Sequence, residues 1–279
     1  MKISAKDVNK LRQATGAGMM DCKKALTEAE GDFEKAIEIL RKKGQKVSAK
    51  RADREAKEGA IFVWANPDQS EAALIELNCE TDFVARNEDF QSLGEKIATL
   101  AGTENPGTLA DLKGLPLDGK PVEEALVEAI GKIGEKIDLS KYERVSAEKV
   151  VTYIHPGSRI GVAVGFNRVA HEGVEEVGRN VAMQIAAMNP VAIDQEGVPQ
   201  AVIDKEREIG MEQARAEGKP EKIIDKIAMG KVKKFLKDNT LVNQEFVKDT
   251  SKTVGKYVKE ELGKEVSISD FKRLQLGVN

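Results

Sequence analysis

Aromatic residues are scarce: eight Phe, three Tyr and one Trp in 279 residues. So few rings exclude a large β core built on aromatic pairs, and they make each ring outside such a core informative. Cysteine is scarcer still. Cys22 and Cys79 stand far apart, with no CxxC spacing and no clustered histidine. That excludes a disulfide framework and a structural zinc, so both read as packed thiols. The two histidines, His155 and His171, lie 16 residues apart. No apolar run approaches the ~18 residues of a membrane span. The opening MKISAKDVNKLRQATG has no apolar leader segment, so a cytoplasmic protein with no membrane partner is expected. Neither charge dominates: 44 Lys+Arg stand against 47 Asp+Glu, a net charge of -3. Binding to a phosphate backbone favours a basic excess, so no direct nucleic-acid partner is expected. GxxxxGK[ST], GxGxxG after a strand, HExxH and GxSxG are all missing. No catalytic residue, metal or cofactor is therefore expected, and the chain does not read as an enzyme.

What is present is a chain rich in helix formers, 33% charged and 41% hydrophobic, long enough for one to three domains. Residues 1–45 read as a compact three-helix unit. Ser4 with Asp7 forms a variant capping box ahead of Val8 and Leu11. Asp32 caps a helix whose face is Phe33, Ala36, Ile37 and Leu40, with Gly44 placed to end it. "TGAGMMDCKKAL" supplies a glycine turn and a short middle helix. So thin a core suits docking better than catalysis. Residues 46–58 are charged and nearly free of large apolar side chains, and read as a solvated helix or linker. Lys46, Lys50, Arg51, Arg54 and Lys57 are broken up by Asp53, Glu55 and Glu58, and no aromatics are interleaved for stacking.

From Gly59 the period changes. "AIFVWA" and "EAALIEL" flank "NPDQS" as a hairpin, and Phe90, Leu93, Ile97 and Leu100 form a helical stripe. "VVTYIHPGSRIGVAVGFN" repeats the hairpin, followed by a helix carrying Val174, Val177, Val181 and Ile185. "IGEKIDLSKYERV" (133–145) and "LGKEVSISDFKRL" (262–274) align without gaps, each after a helix-like run and each reading as a strand. An α+β fold of two related subdomains is expected, at 59–146 and 147–279. The second is interrupted at about 200–236 by two charged helical runs around "EGKP". That pattern describes an antiparallel coiled-coil arm with a narrow seam including Ile203, Ile209, Ile223 and Ile227.

Two short stretches carry the functional signal. Met19 and Met20 are adjacent, so on a helix they point about 100° apart and cannot easily face one core. Either they complete the three-helix core or at least one is exposed for adaptable docking. In "NCETDFVARNEDF", Asn87 can cap the next helix, which leaves residues to spare between strand and cap. Phe83 either staples this loop to the helix or is presented outward, and Asp82 is a turn former.

At "TGAGMMDCKKAL" and "TDFVARN" the chain closely resembles the bacterial elongation factor Ts family, the guanine-nucleotide exchange factors of elongation factor Tu. The resemblance continues through "KIGEKI" (132–137), "RIGV" (159–162), "EGKPEKI" (217–223) and "SKTVGKYVKE" (251–260), covering essentially the whole chain. It implies a ubiquitin-associated-like N-terminal module, two related core subdomains and a coiled-coil arm. It also implies elongation factor Tu as partner, both GDP-bound and nucleotide-free. By the same resemblance Asp82 and Phe83 intrude near the partner's magnesium and nucleotide site. Met19 and Met20 serve the N-terminal module's contact, and Ile133, Gly134 and His155 the core's. The alternative class is a translation-associated scaffold that binds without promoting exchange.

Overall fold

The computed structural model describes residues 3–168 and 173–278, so His171 lies outside the described residues. The chain opens with α1 (Ala5–Thr15), α2 (Met19–Glu28) and α3 (Phe33–Arg51). The caps form as the sequence implies. Ser4 Oγ accepts from the Asp7 N–H at 3.1 Å while the Asp7 carboxylate accepts from the Ser4 N–H, and Asp32 accepts from the Lys35 N–H. Leu11, Cys22, Leu26 and Ala36 fill the small core between the three helices.

Gly44 does not end α3. The helix runs through it to Arg51 because Gly44 lies against α7 (Val122–Ile133), facing Gly131. A Cβ on Gly131 would stand 2.7 Å from Gly44 Cα. This glycine is spent on close helix contact, and helical hydrogen bonding carries the backbone past it.

Two three-stranded antiparallel sheets follow. The first, in the order β1 (Glu58–Ala65), β2 (Glu71–Cys79), β5 (Ile137–Ser146), carries between β2 and β5 the helices α4 (Asp82–Ala85), α5 (Glu88–Glu104), α6 (Leu109–Gly114) and α7. A two-residue pair, β3 (Pro116–Leu117) and β4 (Lys120–Pro121), precedes α7. The second sheet is ordered β10 (Ser267–Gln275), β7 (Ile160–Asn167), β6 (Lys149–Ile154). Between β7 and β10 lie α8 (Val174–Met188), α9 (Gln200–Ala216), α10 (Glu221–Asn239), β8 (Glu245–Phe246), β9 (Asp249–Thr253) and α11 (Val254–Leu262). In each sheet the second hairpin strand is central, and the strand that follows the last helix pairs with it. The two aligned segments are therefore topologically equivalent, and the fold is α+β.

The sheets pack on each other through Ile61, Leu74 and Val145 of the first against Val150, Ala163 and Leu274 of the second. Their other faces bury against helices. Ile75 and Leu77 meet Phe90 and Ile97 of α5, and Val162 and Phe166 meet Val181 and Ile185 of α8. β2 is thus covered on both sides, which explains its continuous apolar run at 72–75. β7 alternates small and large, with Gly161, Ala163 and Gly165 turned to the other sheet. A Cβ at Gly161 would lie 2.5 Å from Ile61 Cγ2, so the sheets approach as closely as bare backbone allows.

α9 and α10 form a helical hairpin joined at residues 217–220. Its seam differs from the isoleucine set expected. Ile224, Ala228 and Val232, at successive i+4 positions, bury against Gly210 and Ala214, while Ile223 falls beside that row and is exposed.

Candidate partner-binding surface

β2 ends at Cys79, and the next residues are fastened one by one. Glu80 accepts from Arg51 Nη1 at 2.7 Å, from Arg54 Nη1 at 3.0 Å and from the Lys136 N–H at 2.7 Å. Burial works against its charge, but these donors outweigh it and hold the carboxyl at a pKa of about 2. Thr81 donates its N–H and its hydroxyl to the Glu135 carboxylate at 3.0 and 2.9 Å, and its Oγ1 accepts the Val84 N–H, capping α4. Lys136 Nζ donates to the carbonyls of Ala52 and Arg54, closing the end of α3 onto the same loop. The Cys79 thiol donates to the Thr81 carbonyl at 3.1 Å. Burial first, and then the Glu135 charge, push its pKa up to about 12, leaving it a packed thiol.

On this base stands the single turn α4. Val84 and Ala85 point into the core beneath it, while Phe83 is 81% exposed. Asp82 forms an ion pair with Arg86 at 3.0 Å. Asn87 caps α5 by accepting from the Asp89 N–H, and Gln91 Nε2 donates to the Ala85 carbonyl. The stretch between the end of β2 at Cys79 and the cap at Asn87 is thus a clamped turn. Phe83 is presented outward rather than stapled to α5.

The other candidate residues gather around it to different degrees. Ile133 and Gly134 close α7. Gly134, at φ 86°, is its left-handed cap and donates to the Ile130 carbonyl. That reversal delivers Glu135 and Lys136 to Thr81 and Glu80, and Ile133 stays half-buried against the first core. His155 sits in the β6–β7 turn, exposed, with Nδ1 2.9 Å from the Tyr153 hydroxyl. The Ser158 carbonyl of that turn accepts from the Ile61 N–H, and Arg159 pairs with Glu58 at 2.5 Å. Glu58 lies opposite Cys79 in the β1–β2 register, so His155's turn flanks the end of the hairpin from which Phe83 projects. Met19 and Met20 open α2 and are 55% and 63% exposed. They belong to the three-helix unit, which reaches the core where α3 lies on α7 and Arg41 pairs with Glu128.

In the sequence Arg51 and Arg54 read as solvated linker charges. They are instead two of the fasteners of Glu80, with Arg51 on the last turn of α3. Glu135 and Lys136 had one signal, their place directly behind Ile133 and Gly134 in "KIGEKI". For the arginines no local signal exists, because their partner lies 29 and 26 residues away.

Among the described residues no group of His, Cys, Asp and Glu could hold a metal, and no helix is long and apolar enough to cross a membrane. The surface displays Phe83 on a turn whose neighbours Glu80 and Thr81 are fastened to distant parts of the chain. The elongation factor Ts family model matches residues 80–278, beginning within the clamped turn. Elongation factor Ts of Amoebophilus asiaticus (strain 5a2) is 51% identical over 277 residues, 99% of this chain and 100% of the relative. That of Christiangramia forsetii is 51% identical over 279 residues, 99% of each, and that of Porphyromonas gingivalis (strain W83) is 45% identical over 281 residues, covering both in full. The chain belongs to the elongation factor Ts family.

Proposed function

We propose that this chain is a guanine-nucleotide exchange factor of translation elongation, binding elongation factor Tu in its GDP-bound and nucleotide-free forms and promoting GDP release. The observation that carries the reading is Phe83, an aromatic side chain held away from its own core by a turn whose neighbours are all fastened. Such a group is preorganised for burial in another protein, because the ordering cost is already met in the free chain. Phe83 enters beside the partner's magnesium and nucleotide site, and Asp82 brings a carboxylate next to phosphate charge. The factor binds the nucleotide-free partner more tightly than the GDP-bound one. By linkage it weakens GDP binding by the same factor, with no covalent chemistry.

Ile133, Gly134 and His155 form the core's share of the contact. Met19 and Met20 form the docking face of an N-terminal module, residues 1–45, of ubiquitin-associated type. Residues 59–146 and 147–279 act as the two core subdomains, the α9–α10 hairpin is a coiled-coil arm, and the site of action is the cytoplasm. Release of a fluorescent GDP from elongation factor Tu, with and without this protein, tests the reading. Acceleration is expected, whereas binding with an unchanged release rate would leave a scaffold.

A further inference from the structure

The α9–α10 hairpin carries a feature that lies outside the contact residues proposed above. On α10, Lys222, Lys226, Lys233 and Lys237 fall within about 60° of one another at 100° per residue. The buried row Ile224, Ala228, Val232 lies on the opposite side of the helix, so the four lysines face directly away from α9. All four are exposed, and none makes a hydrogen bond or ion pair with a described residue. Between them lie only Met229, itself exposed, and Gly230, which has open space above it. The strip spans about 23 Å at 1.5 Å per residue. The acidic residues of α10 stay out of it. Asp225 is held by Arg207, Glu221 pairs with Arg215, and Asp238 projects from another side.

Elsewhere in this chain some exposed helical lysines pair with an acid three or four positions away, as in Lys42 with Glu38, Lys35 with Asp32 and Lys256 with Glu260. On this face of α10 the lysines instead stand in like-charge pairs at i,i+4, Lys222 with Lys226 and Lys233 with Lys237, with no acid among them, which is unfavourable for the isolated helix. With a net charge of -3, the rest of the chain does not attract polyanions, so any attraction is local to this strip.

We propose that the outward face of α10 docks the phosphate backbone of structured RNA. Lysine meets phosphate as a flexible point charge, and four of them in line follow a backbone without reading bases. An acidic protein partner fits less well. Protein interfaces are depleted in Lys and enriched in Arg and aromatics, and the strip has neither of the latter.

The test uses the full-length chain and a fluorescent 20-base-pair RNA duplex, followed by anisotropy from 50 to 200 mM salt. Four phosphate contacts predict a slope of about 3 to 4 in log Kd against log salt, or a roughly sixty- to 250-fold loss of affinity across that range. Replacing the four lysines by Gln, which keeps helix propensity, should bring the slope near zero with an unchanged melting temperature. Replacing them by Arg should preserve binding. The same number of charges removed at Lys6, Lys23, Lys259 and Lys264 should leave the slope intact. Equal weakening by this control set, or no binding at 50 mM salt, overturns the proposal. Polyglutamate binding as tightly as the duplex overturns it in favour of an acidic protein.

Discussion

Phe83→Ala separates the proposed role of this side chain from any part in folding. At 81% exposure the ring contributes little to the folded chain, and Ala suits the α4 turn. Surface changes of this kind stay within about 0.5 kcal/mol, so the melting temperature should move by no more than about 2 °C. In the complex the balance reverses. Burying a phenylalanine fully is worth ~1.5–3 kcal/mol, and at ~1.4 kcal/mol per decade its loss should slow stimulated GDP release roughly ten- to 150-fold. Binding should persist, since Met19, Met20, Ile133 and Gly134 remain, and Phe83→Leu should fall between the two. Stopped-flow release of a fluorescent GDP and a thermal melt of the same preparation decide the matter. Release at the wild-type rate would refute the intrusion, and a melting point lowered by many degrees would show that Phe83 supports the fold.

Glu80→Gln removes the charge on which Arg51, Arg54 and the Lys136 N–H converge, and should cost about 1–3 kcal/mol in chemical denaturation. Because the folded pKa of Glu80 lies below its unfolded value, its stabilisation is complete above about pH 4.5 and drains away toward pH 2. Acid melts should show this decline in the wild type and a flatter curve in the variant. Gly131→Ala drives a Cβ into Gly44 and should destabilise by about 1–3 kcal/mol, whereas Gly230→Ala, with open space around it, should raise local protection in hydrogen exchange on α10. Cys79, buried and with its pKa pushed up to about 12, should resist a thiol reagent at pH 8 in the native protein and react once denaturant is added.

Local chemistry was legible in the sequence, and long-range chemistry was not. The caps at Ser4, Asp32 and Asn87 could be read because side chain and target lie within three residues. The duplicated sheet could be read because hairpin, helix and third strand recur in order, and both third strands take the same place beside the central strand. Gly44 misled because a glycine that ends a helix and one that admits a neighbouring helix look alike until that neighbour is known. Exposure at Met19 and Met20 followed in part from their adjacency on one helix turn. Phe83 left two readings open, since what keeps it outside is the clamp on Glu80 and Thr81, made from residues 26 to 56 positions away. The small β3–β4 pair, resting on two residues in each strand, offers no periodicity to detect.

An element that displaces a neighbour must be less compliant than what it displaces. Four residues of helix have no stiffness of their own, since a single turn fixes several dihedrals for one hydrogen bond. α4 borrows its stiffness. Any thrust on Phe83 passes through Glu80 into the end of α3 and through Thr81 into the segment between α7 and β5, and from there into the paired sheets. The reaction force is therefore carried by the body of the molecule. In the proposed role, loosening a distant fastener such as Arg51 would soften the thrust while leaving every contact at the tip in place, so the work delivered to a partner would depend on the foundation as well as on the contact.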